Sequence, residues 1–222
     1  MAKARARKKP RGSYHHGELR QAMLLATLDI ATRNGTGAVS LSAAARLLGV
    51  SPQAAYNHFR DKEELLAAAA EEAVRALERN LRQARDAARG PGERLEATGV
   101  AYVRFAREHA ARFRLLSAPE LTDKSKHPAL LAAYREAFGV LREAVEECQR
   151  AGVVRADDSR TLAVAAWGMV HGTAWLLVDG QLAAAFGQTS AVDGERAAHD
   201  AVRTLFRGLS ARGSENAQTP KR

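Results

Sequence analysis

Apolar residues recur along most of the chain at the three- and four-residue spacing of amphipathic helices. The first such stretch carries a stripe at i, i+4, i+7 and i+11, formed by Leu19, Met23, Ala26 and Ile30. This stripe predicts a helix over residues 18–34 that ends at Gly35. No alternating run of β-branched residues of useful length occurs anywhere. The pattern therefore predicts an all-α protein.

Proline and glycine residues divide this pattern into about nine helices. After the first, the expected helices cover residues 41–48, 52–59, 61–89, 93–108, 110–117, 128–151, 159–178 and 193–210. Asp61, with Glu64 three residues later, predicts a capping box at the start of the long helix over 61–89. The polar stretch over 212–222 is predicted to be disordered.

Residues 41–66 predict a helix-turn-helix followed by its supporting helix. Gly49 can adopt the left-handed conformation that a tight turn between helices needs, and Val50 can fill the angle between them. Ser51 can accept from a free backbone N–H, and Pro52 suits the first helical position because its missing donor would be unpaired there. An ordinary helical hairpin has similar turn chemistry, so the turn alone does not establish DNA binding.

The distribution of charge favours a nucleic-acid partner. Residues 1–60 hold ten Lys and Arg against two acidic residues, a net charge of +8, whereas the other 162 residues carry a net charge of +1. A polyanionic partner explains this asymmetry, while an evenly solvated surface does not. A tether to an anionic membrane is the weaker explanation, because no amphipathic helix or lipidation signal accompanies the basic tail.

Cysteine content and hydropathy bear on the compartment. Cys148 is alone, which excludes an intramolecular disulfide, and the first residues lack the apolar segment of a secretory signal, so we expect a cytoplasmic protein. Residues 161–178 carry no formal charge and approach the length of a membrane span. Their content of Ala, Gly and Thr instead favours a helix buried on most sides within a bundle, or one in a dimer interface.

The motifs of common enzyme classes are missing from the sequence. It has no G-x-S-x-G elbow, no phosphate-binding glycine loop, no H-E-x-x-H and no paired cysteines. The adjacent His15 and His16 lie in a basic segment, and adjacent histidines rarely chelate a metal without further ligands. We therefore expect no enzyme, no cofactor and no metal site.

Three stretches carry a family resemblance: YHHGELR at 14–20, LLGVSPQAAYNHFRDKEELL at 47–66, and WGMVHG at 167–172. Together they resemble the TetR/AcrR-type bacterial transcriptional regulators, and the third resembles a C-terminal subfamily marked by a Trp, a His and a Gly. The resemblance implies an N-terminal DNA-binding domain, a C-terminal ligand-binding and dimerisation domain, and usually repression relieved by a small molecule. Two positions depart from the family: Ser42 stands where several relatives carry an Arg, and Ala55 replaces a larger apolar residue.

These observations predict four segments. They are a basic disordered arm at 1–17, a helix-turn-helix domain at 18–64, a ligand-binding and dimerisation domain at 65–211, and a disordered tail at 212–222. The arm carries Lys8, Lys9 and Arg11, which can follow the DNA backbone or enter a minor groove.

The second helix of the helix-turn-helix supplies most of the predicted DNA contacts. Gln53 and Asn57 are four residues apart and share a face, and each side chain can bond an adenine edge bidentately. Ala54 can touch a thymine methyl group, whereas Tyr56 suits a phosphate or, alternatively, partial packing in the core. The predicted DNA-binding residues are Ser42, Ser51, Pro52, Gln53, Ala54, Tyr56, Asn57, His58 and Lys62.

Tight specific binding calls for two reading heads, so we expect a homodimer on double-stranded DNA with half-sites about 34–36 Å apart, or a multiple of that. The last two predicted helices are expected to pair with their copies as a four-helix bundle. Small residues that permit close approach are Ala163, Ala165, Ala166, Gly168 and Gly172. The apolar stripe on the final helix comprises Ala197, Ala198, Ala201, Val202, Leu205 and Leu209.

Aromatic and apolar side chains in the C-terminal half, with one histidine among them, form either ordinary core or an effector pocket. They are Tyr102, Phe105, Phe113, Leu116, Trp167, Val170, His171 and Trp175. The sequence thus favours a ligand-responsive regulator, most simply a repressor that a small-molecule effector releases from a palindromic operator. The alternatives are an architectural DNA-binding protein without effector control and a protein-interaction adaptor.

Overall fold

The fold consists of α-helices joined by short connections, and the computed structural model describes residues 16–121, 123–186 and 191–210. The helices are α1 (His16–Asn34), α2 (Leu41–Leu48), α3 (Pro52–Tyr56), α4 (Lys62–Ala87), α5 (Pro91–Glu108), α6 (Ala110–Leu116), α7 (Pro128–Arg150), α8 (Ser159–Val178), α9 (Gln181–Phe186) and α10 (Ala191–Leu209). Within those residues no β-strand occurs, so the all-α prediction is confirmed. The predicted arm and tail fall largely outside the described residues.

The described part of the chain has ten helices where the pattern predicts about nine. The additional one is α9, which follows Gly180 and spans Gln181–Phe186. Gly180 ends the preceding helix with a positive φ of 70°. Six residues are too few to carry a periodic stripe, which is why hydrophobic spacing alone misses this helix.

The turn between α2 and α3 has the predicted chemistry. Gly49 lies in the left-handed region at φ 72°, and the N–H of Val50 donates to the Ala45 carbonyl over 3.0 Å. This pairing of the last carbonyls of α2 is the glycine-dependent end that helices commonly adopt. Ser51 caps α3, since its hydroxyl accepts from the N–H of Ala54 over 3.2 Å. Both cap predictions are confirmed.

The first three helices enclose a small core that continues into the larger bundle. Met23, Leu24 and Phe59 are fully or almost fully buried there, and they belong to the same apolar cluster as Leu65 and Leu66 at the start of α4. Farther along, α4 packs against α5 and α7, and α5 packs against α8 and α10. The long helix α4 therefore belongs to both halves of the molecule.

Helix α8 is the long apolar segment, and among the described helices it alone has the length and hydropathy of a membrane span. Only 28% of its most apolar window is buried within the protomer. The expectation that it is buried on most sides inside the bundle is therefore wrong for a single chain. The alternative expectation, a dimer interface, remains a prediction.

The lone cysteine is buried and weakly acidic. Cys148 has no exposed surface, and its thiol donates to the Pro91 carbonyl over 3.1 Å. Burial, with a smaller contribution from the charge of Glu147, raises the pKa of this thiol to about 11. Because the thiolate is the reactive form, Cys148 is an inert part of the core at neutral pH.

We expect Gly49→Ala to lower the free energy of unfolding by about 1–2 kcal/mol, because a Cβ atom is strained in the left-handed conformation. The measurement is urea denaturation followed by circular dichroism. Gly37→Ala is the matched control, since Gly37 is exposed, lacks a positive φ and has open space for a Cβ atom. Equal stability of the two variants would contradict the role assigned to Gly49.

Candidate functional site

The candidate reading helix α3 is shorter than predicted but correctly placed. Regular helix ends at Tyr56 and not near Phe59, with Asn57 as the C-cap. The N–H of Phe59 still donates to the Ala55 carbonyl over 3.1 Å, so the helical turn closes before the chain leaves. Ala55 and Phe59 are buried and anchor the helix from below. The small Ala55 is thus enclosed completely despite its reduced size.

The opposite side of α3 presents polar groups to solvent. Gln53 and Asn57 are exposed, and the Gln53 side-chain amide donates to Oδ1 of the Asn57 side chain over 3.5 Å. The two side chains therefore lie together on one face. Tyr56 is 52% exposed, which excludes substantial packing in the small core.

The other predicted contacts surround this pair to different degrees. Ser51 and Pro52 are exposed, whereas Ser42, Ala54 and His58 are half-buried. The Ser51 hydroxyl oxygen accepts from the backbone N–H of Ala54, and the hydroxyl proton can still be donated to a ligand. Ser42 lies in the first turn of α2, beside α3 in the helix-turn-helix.

Lys62 is engaged with other parts of the protein. Its ammonium group donates to the Gly37 carbonyl over 3.1 Å and pairs with the Glu120 carboxylate at 3.1 Å. Glu120 lies in the short turn Pro119–Leu121 that follows α6. A contact between Lys62 and a DNA phosphate would therefore compete with the ion pair to Glu120. No sequence pattern indicated this ion pair.

Glu120 is held in a partly buried setting. Burial alone would raise the pKa of this carboxyl, but hydrogen bonds from its own backbone N–H and from Lys62 outweigh burial and lower the pKa. Its second oxygen is buried and has no hydrogen-bond partner among the described residues. A second link lies nearby, where the His127 ring is 3.1 Å from the Glu63 carboxylate.

The capping box at the start of α4 is only half as predicted. Asp61 accepts from the N–H of Glu64 over 2.8 Å. The Glu64 carboxylate, however, accepts from the N–H of Arg60 over 2.8 Å, one residue before the position the box pattern predicts. The helix start is capped all the same.

The C-terminal half encloses an apolar cavity of about 460 Å³. Among the predicted pocket residues, its walls contain Tyr102, Leu116, Trp167, Val170 and His171. Phe105 and Phe113 are instead fully packed core, and Trp175 stands behind His171. The set of pocket residues predicted from the sequence therefore contains both residues that line the cavity and residues that pack behind them.

Much of the cavity wall comes from helices that the sequence pattern did not predict to contribute to a pocket. Helix α4 contributes Val74, Leu77 and Leu81, helix α7 contributes Tyr134, Phe138 and Leu141, and helix α10 contributes Val202, Leu205, Phe206 and Leu209. These side chains lie on ordinary amphipathic stripes, and a stripe facing a cavity has the same spacing as one facing a filled core. No sequence signal separates the two cases.

A chain of polar contacts lies at one side of the cavity. The Trp175 indole N–H donates to Nε2 of His171 over 3.0 Å, and Nδ1 of His171 is 2.7 Å from the Tyr102 hydroxyl. The Trp167 indole N–H donates to the same hydroxyl over 3.4 Å. Burial lowers the pKa of His171 and raises the pKa of Tyr102 to about 12, so both groups are neutral at physiological pH.

The outward face of α8 is apolar and smooth. Val164, Trp167, Met169 and Leu176 are each 39–50% exposed, and a Cβ atom at Gly168 or Gly172 would meet open space. By contrast, the predicted pairing stripe of α10 turns inward, since Val202 and Leu209 are buried in their own protomer and Leu205 lines the cavity. The side chains of Ala197 and Ala198 lie outside the described residues.

The inward turn of α10 has a visible physical reason. A Cβ atom at Gly99 would come within 3.0 Å of the Val202 side chain, so α5 and α10 approach closely through that glycine. Within one protomer, Val202, Leu205 and Leu209 therefore pack inward, at the contact with α5 and in the cavity wall. They do not form the outward face that the sequence predicted for dimer pairing.

Comparisons with known proteins agree with this architecture. The family described as bacterial regulatory proteins of the tetR family matches residues 24–69, and the family described as the tetracyclin repressor-like C-terminal domain matches residues 95–205, half of the chain. No curated protein matches.

Solved structures are similar over nearly the full length. A protein of unknown function from Rhodococcus sp. RHA1 is 30% identical, with a TM-score of 0.74 over 89% of this chain and 98% of that one. A tetR-family regulatory protein from Rhodococcus RHA1 is 20% identical, with a TM-score of 0.70 over 87% and 97%. The TetR-family regulator PfmR from Thermus thermophilus is 23% identical, with a TM-score of 0.65 over 85% and 98%.

The family matches cover the helix-turn-helix and the cavity-bearing half in the order in which this chain carries them. Proteins with this pair of domains regulate transcription by binding DNA and are not enzymes. The chain belongs to the TetR family of DNA-binding transcriptional regulators.

Proposed function

We propose that this regulator is a cytoplasmic, ligand-responsive repressor that binds a palindromic operator as a homodimer and leaves it when a small molecule fills the cavity. The observation that carries the proposal is the position of α4. This helix begins at Lys62, directly after the reading head, and its later residues Val74, Leu77 and Leu81 form a wall of the cavity. A change in the cavity wall is thus mechanically connected to the reading head.

On DNA, α3 lies in the major groove in this proposal. Gln53 and Asn57 read base edges, because their amides share one exposed face and can pair bidentately with adenine. Ala54 contacts a thymine methyl group. The contacts to the DNA phosphates, which fix the register, come from the hydroxyl groups of Ser42, Ser51 and Tyr56, the His58 ring and the Lys62 ammonium group. Pro52, which has no N–H donor, makes only van der Waals contact with the DNA backbone.

The homodimer forms through the exposed face of α8. Apolar side chains exposed to this degree on a helix of a soluble regulator are typical of an interface. Gly168 and Gly172 allow a second helix to approach closely, and a copy of α8 presents the same features. A two-fold arrangement brings two reading heads to two half-sites.

Release follows if the ligand favours a conformer whose reading heads no longer match the half-sites, since equal affinity for both conformers shifts nothing. The contact between Glu120 and Lys62 offers a local route. Leu116 of the cavity wall lies four residues before Glu120, so movement at the end of α6 changes how tightly Lys62 is held. Lys62 bound to Glu120 is not available to a phosphate.

Selection of bound sequences from a random DNA pool tests the proposal as a whole. The expected result is an enriched inverted repeat with half-sites about one helical turn apart or a multiple of it. Competition by random DNA at equal strength would instead favour a low-specificity architectural protein.

Asn57→Ala is expected to cost ~1–3 kcal/mol of discrimination between the selected operator and random DNA, because a bidentate base contact is lost. Tyr56→Phe is the matched comparison, and its lost hydroxyl should weaken binding to both DNAs alike. Fluorescence anisotropy with both DNAs measures the difference. An equal effect of Asn57→Ala on operator and random DNA would exclude it as a base reader.

Glu120→Gln is expected to strengthen DNA binding by up to about fivefold, the size of a partly exposed ion pair, because Lys62 no longer pairs with a carboxylate. Glu136→Gln makes the same change of charge far from Lys62, beside Arg75, and controls for general electrostatics. Lys62→Met should lower the slope of log K against log salt by about one unit. If Glu120→Gln and Glu136→Gln behave alike, the competition does not exist.

Gly168→Glu is expected to convert the dimer to a monomer at micromolar concentration, because a buried charge would separate the two copies of α8. Within the protomer, Gly168 is exposed and a Cβ atom there meets open space. Gly139→Glu on α7, where a Cβ atom also meets open space, should leave the dimer intact. Sedimentation velocity distinguishes the species, and a dimeric Gly168→Glu variant would move the interface elsewhere.

A further inference from the structure

The polar contacts beside the cavity fix where the histidine proton lies. An indole N–H is a donor only, so the contact from Trp175 requires Nε2 of His171 to be the acceptor. The neutral ring then carries its proton on Nδ1. The 2.7 Å contact with Tyr102 is consequently a donation from His171 to the phenol oxygen.

The Tyr102 oxygen therefore accepts twice, once from His171 and once from the Trp167 indole. Its own proton has no acceptor among the described residues. Tyr102 is only 7% exposed, and its side chain forms part of the cavity wall. A buried hydroxyl donor without an acceptor costs free energy, and a ligand that supplies an acceptor recovers it.

Two other hydroxyl groups at the cavity already donate to backbone carbonyls. The Thr98 hydroxyl donates to the Arg94 carbonyl over 2.8 Å, and the Tyr134 hydroxyl donates to the Leu116 carbonyl. The ammonium group of Lys124 donates to the Leu121 carbonyl over 3.3 Å and lies over the Tyr134 ring. The Ser117 hydroxyl also lines the cavity but is exposed and can bond water, so Tyr102 differs from these groups in being a buried hydroxyl with a proton to offer.

We propose that the effector cavity takes a largely apolar molecule with one uncharged hydrogen-bond acceptor, such as a ketone or ester carbonyl, which accepts from the Tyr102 hydroxyl. This inference rests on the proposed effector function of the cavity. The acceptor is uncharged because the two groups that donate to the Tyr102 oxygen, the His171 ring and the Trp167 indole, are neutral, so a carboxylate at this point would have no charged hydrogen-bond partner. Charged residues of the cavity wall are Glu96, Lys124 and Arg135, and none of them hydrogen-bonds Tyr102.

Benzophenone and diphenylmethane test the proposal, because they have almost the same shape and only the first has a carbonyl. Isothermal titration calorimetry on the full chain should show benzophenone binding about tenfold more tightly than diphenylmethane, the value of one buried hydrogen bond. The preference should disappear in Tyr102→Phe. It should persist in Tyr134→Phe, whose lost hydroxyl also belongs to the cavity wall but already donates to the backbone.

The outcomes distinguish a failure of the acceptor proposal from a failure of the effector role of the cavity. If diphenylmethane binds and benzophenone binds no better, or if the preference survives Tyr102→Phe, the acceptor proposal is overturned while the cavity remains a binding site. If neither compound binds the wild-type chain, both the acceptor proposal and the effector role of the cavity are overturned.

Nitrogen-15 NMR of the histidine rings provides a test without any ligand. His171 should carry a proton on Nδ1 and none on Nε2, and Trp175→Phe should release that restriction. A proton on Nε2 of His171 in the wild-type chain would leave Tyr102 as the donor to the ring, and the proposal would be wrong.

Discussion

The burial of α4 between the two halves of the molecule is the constraint on which the remaining structure depends. Six consecutive residues from Leu65 to Ala70 are each at most 9% exposed, and six positions cover every direction around a helix. The first three helices are in direct contact with the bundle, since α1 packs against both α4 and α6. The four alanines at Ala67–Ala70 make this possible, because their small side chains let neighbouring helices approach from all sides.

Local chemistry determined most of the fold, and so the sequence predicted it. Gly49 and Ser51 each serve their predicted purpose within a few residues of themselves, and the bounds of α8 agree with those read from the pattern. The eight-residue reading helix was wrong in length, because a helix ends where its last carbonyls are capped. Asn57 provides that cap, and the periodicity of the sequence does not contain it.

What the sequence could not predict depends on which elements meet in space. Lys62 is paired with Glu120, 58 positions away, and no short-range pattern links the two. The stripe of Val202, Leu205 and Leu209 predicts an apolar face on α10. This face packs against α5 because Gly99 allows the two helices to approach closely. Likewise, the apolar stripes that surround the cavity have the same spacing as stripes that face a filled core. The spacing shows which face of a helix points inward, but it does not show whether that face meets other side chains or an empty cavity. The DNA contacts and the pocket residues remain predictions. The exposure of Gln53, Tyr56 and Asn57 and the wall positions of Tyr102, Trp167 and His171 agree with the roles proposed, whereas Phe105 and Phe113 belong to the core.

The cluster around His171 has a consequence for how this protein can be observed. The chain contains two tryptophans, and both donate into that cluster. All of its indole emission therefore arises beside the cavity and none from the reading head. The molecule carries an intrinsic optical reporter for one of its two ends, so occupancy of the cavity can be followed without a label while DNA is present.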